Sequence, residues 1–114
     1  MTIHLIERAK QFPKRTAILT PKSSFSYFDL FLQSEQVAKN LLEGSPDLKE
    51  KRVAFLLPSD FSYVKVQWGI WRAGGIAVPL CTSHPTPELE YIVQNSGASA
   101  IVTYFADYIA QKLK

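Results

Sequence analysis

The sequence predicts an α/β fold in which a parallel, doubly wound, Rossmann-like sheet is flanked by helices. Three short and almost wholly apolar runs, at 52–57, 76–78 and 100–103, indicate buried strands. Segments with helical periodicity separate these runs, and each connection exceeds the roughly 10 residues that a crossover needs. Such connections pair successive strands in parallel with a right-handed crossover. A chain of 114 residues fits one domain.

Two short elements are predicted at the start of the chain. Apolar side chains recur at helical spacing before Pro13, which ends the first helix: Leu5, Ile6, Ala9 and Phe12. A short β-strand at 17–20 follows and stops at Pro21. Neither element is long enough to form the core alone.

A longer helix is predicted to begin at Ser26. Ser26 stands three residues before Asp29, which is the spacing of a capping box. Glu35 and Lys39 are four residues apart in the favourable order on its polar face. Its buried stripe is predicted to consist of Leu30, Phe31, Ser34, Val37, Ala38, Leu41 and Leu42. The segment 44–46, Gly-Ser-Pro, ends the helix.

The apolar strand at 52–57 is expected to be covered on both faces of the sheet. Ser59 or Asp60 can cap the next helix, and Gly74 can end it in the left-handed conformation. This helix is apolar nearly all round, so we expect burial on more than one side; its apolar residues are Phe61, Tyr63, Val64, Val66, Trp68, Ile70 and Trp71.

A further helix is predicted between the second and third buried strands. Thr86 is the expected N-cap, Pro87 occupies the first helical position, and Gly97 ends the helix. Its inward face is predicted to carry Leu89, Ile92 and Val93. A last helix is expected from about Ala106.

Composition excludes several classes of protein. The content of 46% hydrophobic and 12% aromatic residues is typical of a packed core. The net charge is only +3 and the cations are dispersed, so no nucleic-acid partner is predicted. No apolar run reaches the roughly 18 residues of a membrane span. Cys81 is the single cysteine, which excludes an internal disulfide and fits a reduced, cytoplasmic setting.

The sequence carries few groups suited to catalysis. No glycine pattern forms a dinucleotide fingerprint or a Walker-type phosphate loop, and His4 and His84 lack the neighbours of a metal site. Cys81 and His84 are three residues apart and could form a nucleophile pair. The favoured interpretation is that Cys81 is an inert core residue. We therefore predict no catalytic residue and no metal ligand.

The loop at 82–85 is the best-placed binding candidate, because ligands favour the carboxyl ends of parallel strands. Ser83 and His84 are the residues predicted to lie on the substrate side of this loop. The alternative is a plain turn, since Ser-His-Pro is also ordinary turn chemistry.

Several segments resemble motifs of the adenylate-forming, AMP-dependent superfamily, which comprises acyl-CoA synthetases, peptide-synthetase adenylation domains and luciferases. The main one is 67–80, a helix ending in an Ala-Gly pair and then a strand ending in Pro. Others, at consistent separations, are 25–30, 37–42, 84–92, 95–98 and 101–102. Segments 68–71 and 79–85 are most similar to the malonyl-CoA and methylmalonyl-CoA synthetase branch.

The resemblance implies a two-step ligase. ATP and a carboxylic acid, here malonate or methylmalonate, form an acyl-adenylate with release of pyrophosphate, and coenzyme A then takes the acyl group. Mg²⁺ and a cation offset the charge that develops on the phosphates. The family's Ser/Thr/Gly-rich phosphate loop, acidic ribose-binding motif and C-terminal lysine are absent from this sequence. No catalytic residue is therefore carried over.

Three hypotheses for the nature of this chain are consistent with the sequence. In the first, residues 1–114 are an N-terminal subdomain of a larger enzyme, inactive and binding none of these cofactors alone, with the rest of that enzyme as its partner. In the second, the chain is a stand-alone, non-catalytic interaction module derived from such an enzyme. In the third, it is an unrelated flavodoxin-like nucleotide binder, although phosphate-contacting clusters are scarce.

Overall fold

The computed structural model describes residues 3–103. Its elements are α1 (His4–Ala9), β1 (Thr16–Leu19), β2 (Ser24–Ser26), α2 (Tyr27–Leu42), β3 (Arg52–Leu56), α3 (Phe61–Arg72), β4 (Ile76–Pro79), α4 (Thr86–Ser96) and β5 (Ala100–Thr103). The helix predicted from Ala106 lies outside the described residues. Within residues 3–103, no helix is both long and apolar enough to cross a membrane.

Three parallel strands form the central sheet, in the spatial order β4-β3-β5. Val53 of β3 lies opposite Ala77 of β4 on one side and Ala100 of β5 on the other. The predicted parallel α/β sheet is thus confirmed. Long helical crossovers bring the strands into this arrangement, because parallel neighbours cannot be joined by a tight turn.

The central strand β3 is buried on both faces, as predicted. Val53, Phe55 and Leu57 pack on one face with residues of α2 and α3. Ala54 and Leu56 point to the opposite face and pack with residues of α4. This alternation follows from the two-residue period of a strand, and it places helices on both faces of the sheet.

A smaller core lies between α1, the N-terminal strands and the outer side of α2 and α3. Ile6 and Ala9 of α1 pack there against Leu30, Phe61 and Trp68. The nearly all-round apolar character of α3 is explained by this arrangement, because α3 contacts both this cluster and the sheet.

The strands β1 and β2 pair antiparallel and form a separate hairpin. Thr16 lies opposite Ser26 and Ile18 opposite Phe25, with an irregularity in the register between them. Strand β2 was absent from the sequence prediction. It spans only Ser24–Ser26, and two of its three residues are serines, so it carries no apolar run that would indicate a strand.

The helix ends agree with the local sequence signals in most cases. Ser26 and Asp29 form both hydrogen bonds of the capping box, and the Asp60 carboxylate accepts from the Ser62 amide. Gly74 and Gly97 have φ values of 83° and 70°, so both occupy the left-handed region.

The predicted cap of α4 was wrong by one residue. The N-cap is Pro85, with no side-chain cap hydrogen bond, and Thr86 is already the first helical residue. Pro85 is suited to the extended conformation before a helix, with φ −67° and ψ 157°.

Candidate functional site

The carboxyl ends of the three parallel strands meet at one edge of the sheet. Phe55 lies opposite Pro79, and Leu56 lies opposite Thr103. The Leu80 amide continues the ladder by donating to the Phe55 carbonyl at 2.9 Å. The loops that follow the strands therefore lie along the edge where ligands of open α/β sheets bind.

The strand order defines a switch point along this edge. From β3 the chain passes to β4 on one side, then crosses back over the sheet to β5 on the other side. Helix α3 packs on one face and α4 on the other, so the reversal lies between β3 and β5. The loop after β3, at 57–60, borders this point.

Ser83 and His84 follow the outer strand β4, which is one strand away from the switch point. Both side chains are exposed. The His84 amide donates to the Cys81 carbonyl at 3.1 Å, and the His84 Nδ1 atom lies 4.0 Å from the Glu88 carboxylate. The loop is thus at the predicted edge of the sheet, while the substrate role of Ser83 and His84 stays a prediction.

Cys81 is exposed, so the interpretation of this residue as part of the core was wrong. Leu80 takes the buried position at the end of β4, and the chain leaves the sheet one residue before the thiol. The Cys81 Sγ and Ser83 Oγ atoms are 2.9 Å apart. Hydrogen bonds from the Ser83 hydroxyl and then the Ser83 amide lower the pKa of the Cys81 thiol.

A cleft of ≈ 350 Å³ lies beside the switch-point loop, between the β1–β2 turn and the start of α3. Phe25 and Phe61 line it, and their rings stack with centroids 4.0 Å apart and an interplanar angle of 9°. Lys22 lines its rim, whereas the Asp60 carboxylate caps α3. The sequence could not reveal this cleft, because it joins two segments distant in the chain.

The half-buried side chain of Arg72 links α3 to α2. Its Nη1 atom donates to the Phe31 carbonyl at 2.7 Å and to the Ser34 hydroxyl at 3.0 Å. The guanidinium lies over the Phe31 ring, 4.1 Å from the centroid. Burial lowers the pKa of Arg72, although Glu35 and Glu7 act in the opposite direction. Arg72 therefore ties α3 to α2 through its Nη1 atom.

The described residues do not fit a complete ATP or Mg²⁺ site. Residues 3–103 contain no group of three His, Cys, Asp or Glu side chains that could hold a metal ion. The sequence also lacks a glycine-rich loop ending in Lys-Ser/Thr, which would place backbone amides around phosphates.

Comparison with known proteins gives a consistent result. The family model described as "AMP-binding enzyme" matches residues 5–114. A malonate–CoA ligase of Xenopus laevis, named ACSF3 and mitochondrial, is 38% identical over 88% of this chain. The human protein of the same name is 35% identical over 83% of the chain. The chain spans only 18% and 17% of the length of these two relatives.

Solved structures share the fold. The o-succinylbenzoate–CoA synthetase of Bacillus subtilis in complex with AMP superposes with a TM-score of 0.81 at 25% identity, over 93% of this chain and 28% of that chain. An anthranilate–CoA ligase in complex with anthranoyl-AMP gives a TM-score of 0.82, also at 25% identity, over 96% of this chain and 22% of that chain.

The predicted resemblance is confirmed by these matches, which include both the family and its malonate–CoA ligase branch. The parallel sheet and its flanking helices are shared with these two CoA ligases, one solved with AMP and the other with anthranoyl-AMP. On the match over residues 5–114 and the identity to curated relatives, this chain belongs to the AMP-binding enzyme family.

Proposed function

We propose that residues 1–114 form the first α/β lobe of an ATP-dependent acyl-CoA synthetase. The observation that carries this proposal is the identity of 35–40% to malonate–CoA ligases of four vertebrates, over 83–88% of the chain. The lobe has a structural role. Its parallel strands support loops at one edge, and the rest of the parent enzyme supplies the phosphate-binding and catalytic groups.

The parent enzyme uses ATP, Mg²⁺ and coenzyme A in this proposal. It joins a small carboxylic acid to the thiol through an acyl-adenylate, and malonate or methylmalonate is the proposed acid. The similarity to malonate–CoA ligases supports this choice of substrate. The lobe alone is inactive, because its sequence lacks the phosphate loop that the chemistry requires.

The substrate is tested on the enzyme that contains this chain. We expect malonate and methylmalonate to yield CoA thioesters, detected by mass spectrometry, with a higher kcat/KM than acetate or octanoate. A dicarboxylate requires a partner for its second charge, so loss of that charge lowers binding. Preference for a monocarboxylate would contradict the proposed substrate but leave the ligase assignment intact.

The inactivity of the lobe is tested separately with the purified 114-residue chain. Exchange of labelled pyrophosphate into ATP, in the presence of malonate and Mg²⁺, is expected to stay at the level of a no-protein control. Circular dichroism establishes that the chain is folded in the same buffer. Exchange above the control would overturn this part of the proposal.

The compartment is part of the proposal and has two candidates. The single cysteine favours a reduced setting, and the cytoplasm is the location predicted from it. The malonate–CoA ligases above carry the word mitochondrial in their names, which favours the mitochondrion instead. Subcellular fractionation with an antibody against this chain discriminates between them.

A further inference from the structure

We propose that the cleft between α1 and the start of β1 binds a phosphate group of a small molecule. The cleft has a volume of ≈ 410 Å³ and lies on the side of the hairpin that faces α1. Arg8, Arg15, Thr16 and Tyr27 line it, and none of the described residues that line it is acidic. Each of these four side chains can donate a hydrogen bond, and an anion requires donors.

Phe12 orients the two guanidinium groups at this cleft. The Cζ atom of Arg15 lies 4.2 Å from the centroid of the Phe12 ring, and that of Arg8 lies 5.1 Å from it. A stacked guanidinium keeps its N–H edges free for a ligand, because the ring occupies only its face. Both guanidinium groups thus contact the same aromatic ring at the cleft.

The backbone around Arg15 is also fixed. Its amide donates to the Phe12 carbonyl at 3.2 Å, and its carbonyl accepts from the Tyr27 amide at 3.0 Å. On α1, the Arg8 Nη1 atom donates to the Gln11 side chain at 2.9 Å. The backbone of Arg15 and the guanidinium of Arg8 therefore each have a partner before a ligand arrives, which lowers the entropic cost of binding.

The charge of the two arginines is not neutralised within residues 3–103. Neither Arg8 nor Arg15 takes part in an ion pair there, and the neighbouring Glu7 carboxylate pairs with Lys10 at 3.1 Å. Both cations are therefore available to pair with an anion that enters the cleft.

A phosphate group fits the donors better than a carboxylate does. It offers three oxygens and carries a charge of about −1.5 to −2 at neutral pH. A carboxylate offers two oxygens and a single charge. Guanidinium groups bind phosphate with two parallel hydrogen bonds, and the hydroxyls of Thr16 and Tyr27 can serve the third oxygen.

The proposal is tested by a titration of the ¹⁵N-labelled chain with glycerol 3-phosphate, followed by amide NMR at constant ionic strength. We expect saturable shifts at residues that line the cleft, including Arg15 and Tyr27. Arg15→Gln is expected to weaken binding about fivefold, since an exposed ion pair contributes up to roughly 1 kcal/mol. Arg15→Lys keeps the positive charge but loses the paired N–H donors of the guanidinium, so it should weaken phosphate binding less than Arg15→Gln does.

Lys51→Gln is the matched control, because it removes one exposed cation far from the cleft in sequence and should leave the affinity unchanged. Amide spectra of all variants establish that the fold is retained. Non-saturable shifts spread over all basic residues, an unchanged affinity in Arg15→Gln, or tighter binding of malonate than of glycerol 3-phosphate would each overturn the proposal.

The source of the phosphate is identified by a second arm of the experiment. Co-sedimentation with phosphatidylcholine vesicles containing phosphatidic acid tests a lipid headgroup. We expect the chain to stay in the supernatant while glycerol 3-phosphate binds, since the proposed ligand is a free small molecule. Sedimentation that depends on Arg15, without binding of the soluble monoester, would overturn this assignment.

Discussion

At the scale of single residues, Cys81 shows how a one-residue shift decides the environment of a side chain. Leu80 is buried at the end of β4 and Cys81 is exposed immediately after it. The apolar run of β4 continues into this region of the sequence, so pattern alone could not separate the two positions. The turn at 81–84 places the thiol beside the Ser83 hydroxyl instead of in the core.

The lowered pKa of Cys81 predicts that its thiolate forms at a lower pH than that of an ordinary cysteine. The rate of alkylation by iodoacetamide should therefore rise with pH earlier than for a model thiol. Ser83→Ala removes the largest cause of the shift, so the midpoint of its pH–rate profile should move upward. Mass spectrometry of the labelled chain measures the rate.

Thr82→Ala is the control for this experiment, because it changes the other exposed hydroxyl next to Cys81. Its midpoint is expected to equal that of the unmodified chain. Equal midpoints for Ser83→Ala and the unmodified chain would show that the Cys81–Ser83 contact does not act on the thiol in solution.

Arg72 illustrates a residue whose role no local pattern could indicate. Its two acceptors are 41 and 38 residues earlier in the chain. Only the packing of α3 on α2 places the guanidinium over Phe31. Ser34, predicted as part of the buried stripe of α2, is fully buried and bonds Arg72.

At the scale of elements, the contact between α2 and α3 depends on Gly69. A Cβ atom at this position would lie 2.5 Å from Val37 Cγ1 and 2.6 Å from Val37 Cβ. Real Cβ atoms do not approach so closely, so the two helices could not pack at their present distance with any larger residue. No local pattern around Gly69 indicates this close approach, because Val37 lies on another helix.

Gly69→Ala is therefore expected to destabilise the chain. Overpacking costs about 1–3 kcal/mol, and the higher helix propensity of Ala returns up to about 1 kcal/mol. The net loss in the free energy of unfolding, measured by urea denaturation, should be about 1–2 kcal/mol. The clash with Val37 is the physical reason.

A double-mutant cycle with Val37→Ala provides the control. Removing the two γ-methyl groups of Val37 relieves the contact with Cγ1 but leaves the contact with Cβ, so Gly69→Ala should still destabilise the chain in that background, but by less. We expect a coupling energy of about 1 kcal/mol, which is typical of residues in contact. Additive costs would show that the clash is not the source of the loss.

Elements with strong local signals were predicted well, and those without such signals were not. Helix α2 carries a capping box and an amphipathic stripe, and both are confirmed. Strand β2 spans three residues, of which only Phe25 is apolar, so it carries no alternating pattern that would indicate a strand without its partner β1. The N-cap of α4 is Pro85 and not the predicted Thr86, because Pro85 itself provides the extended residue before the helix.

At the scale of the whole molecule, several large apolar side chains remain exposed among residues 3–103. They are Leu19 (79%), Tyr91 (67%), Phe28 (55%), Leu5 (54%), Leu32 (53%) and Ile76 (42%). Phe28 and Leu32 are four residues apart, so they share one face of α2. Ile76 lies on β4, which is an edge of the sheet.

These surfaces predict that the isolated 114-residue chain associates as its concentration rises. The double change Phe28→Glu with Leu32→Glu should shift the equilibrium toward monomer, because two charges replace one apolar face. Sedimentation velocity over a range of concentrations measures the effect. A larger parent enzyme that covers this surface would explain why these side chains are apolar, and the isolated chain would then expose them.

The change Gln94→Glu with Asn95→Glu, on the exposed side of α4, adds the same charge elsewhere and should leave association nearly unchanged. An unmodified chain that stays monomeric at every concentration would contradict the prediction. It would favour the alternative of a stand-alone interaction module.

The sequence by itself determined the parallel α/β class, the buried central strand, most helix ends and the family. These follow from hydrophobic period, capping residues and motif order, which act over a few residues. Only the tertiary structure decided that Cys81 is exposed, that Arg72 bonds Ser34, and that the switch point lies between β3 and β5. The physical reason is that these features depend on contacts between distant segments, which local patterns do not encode.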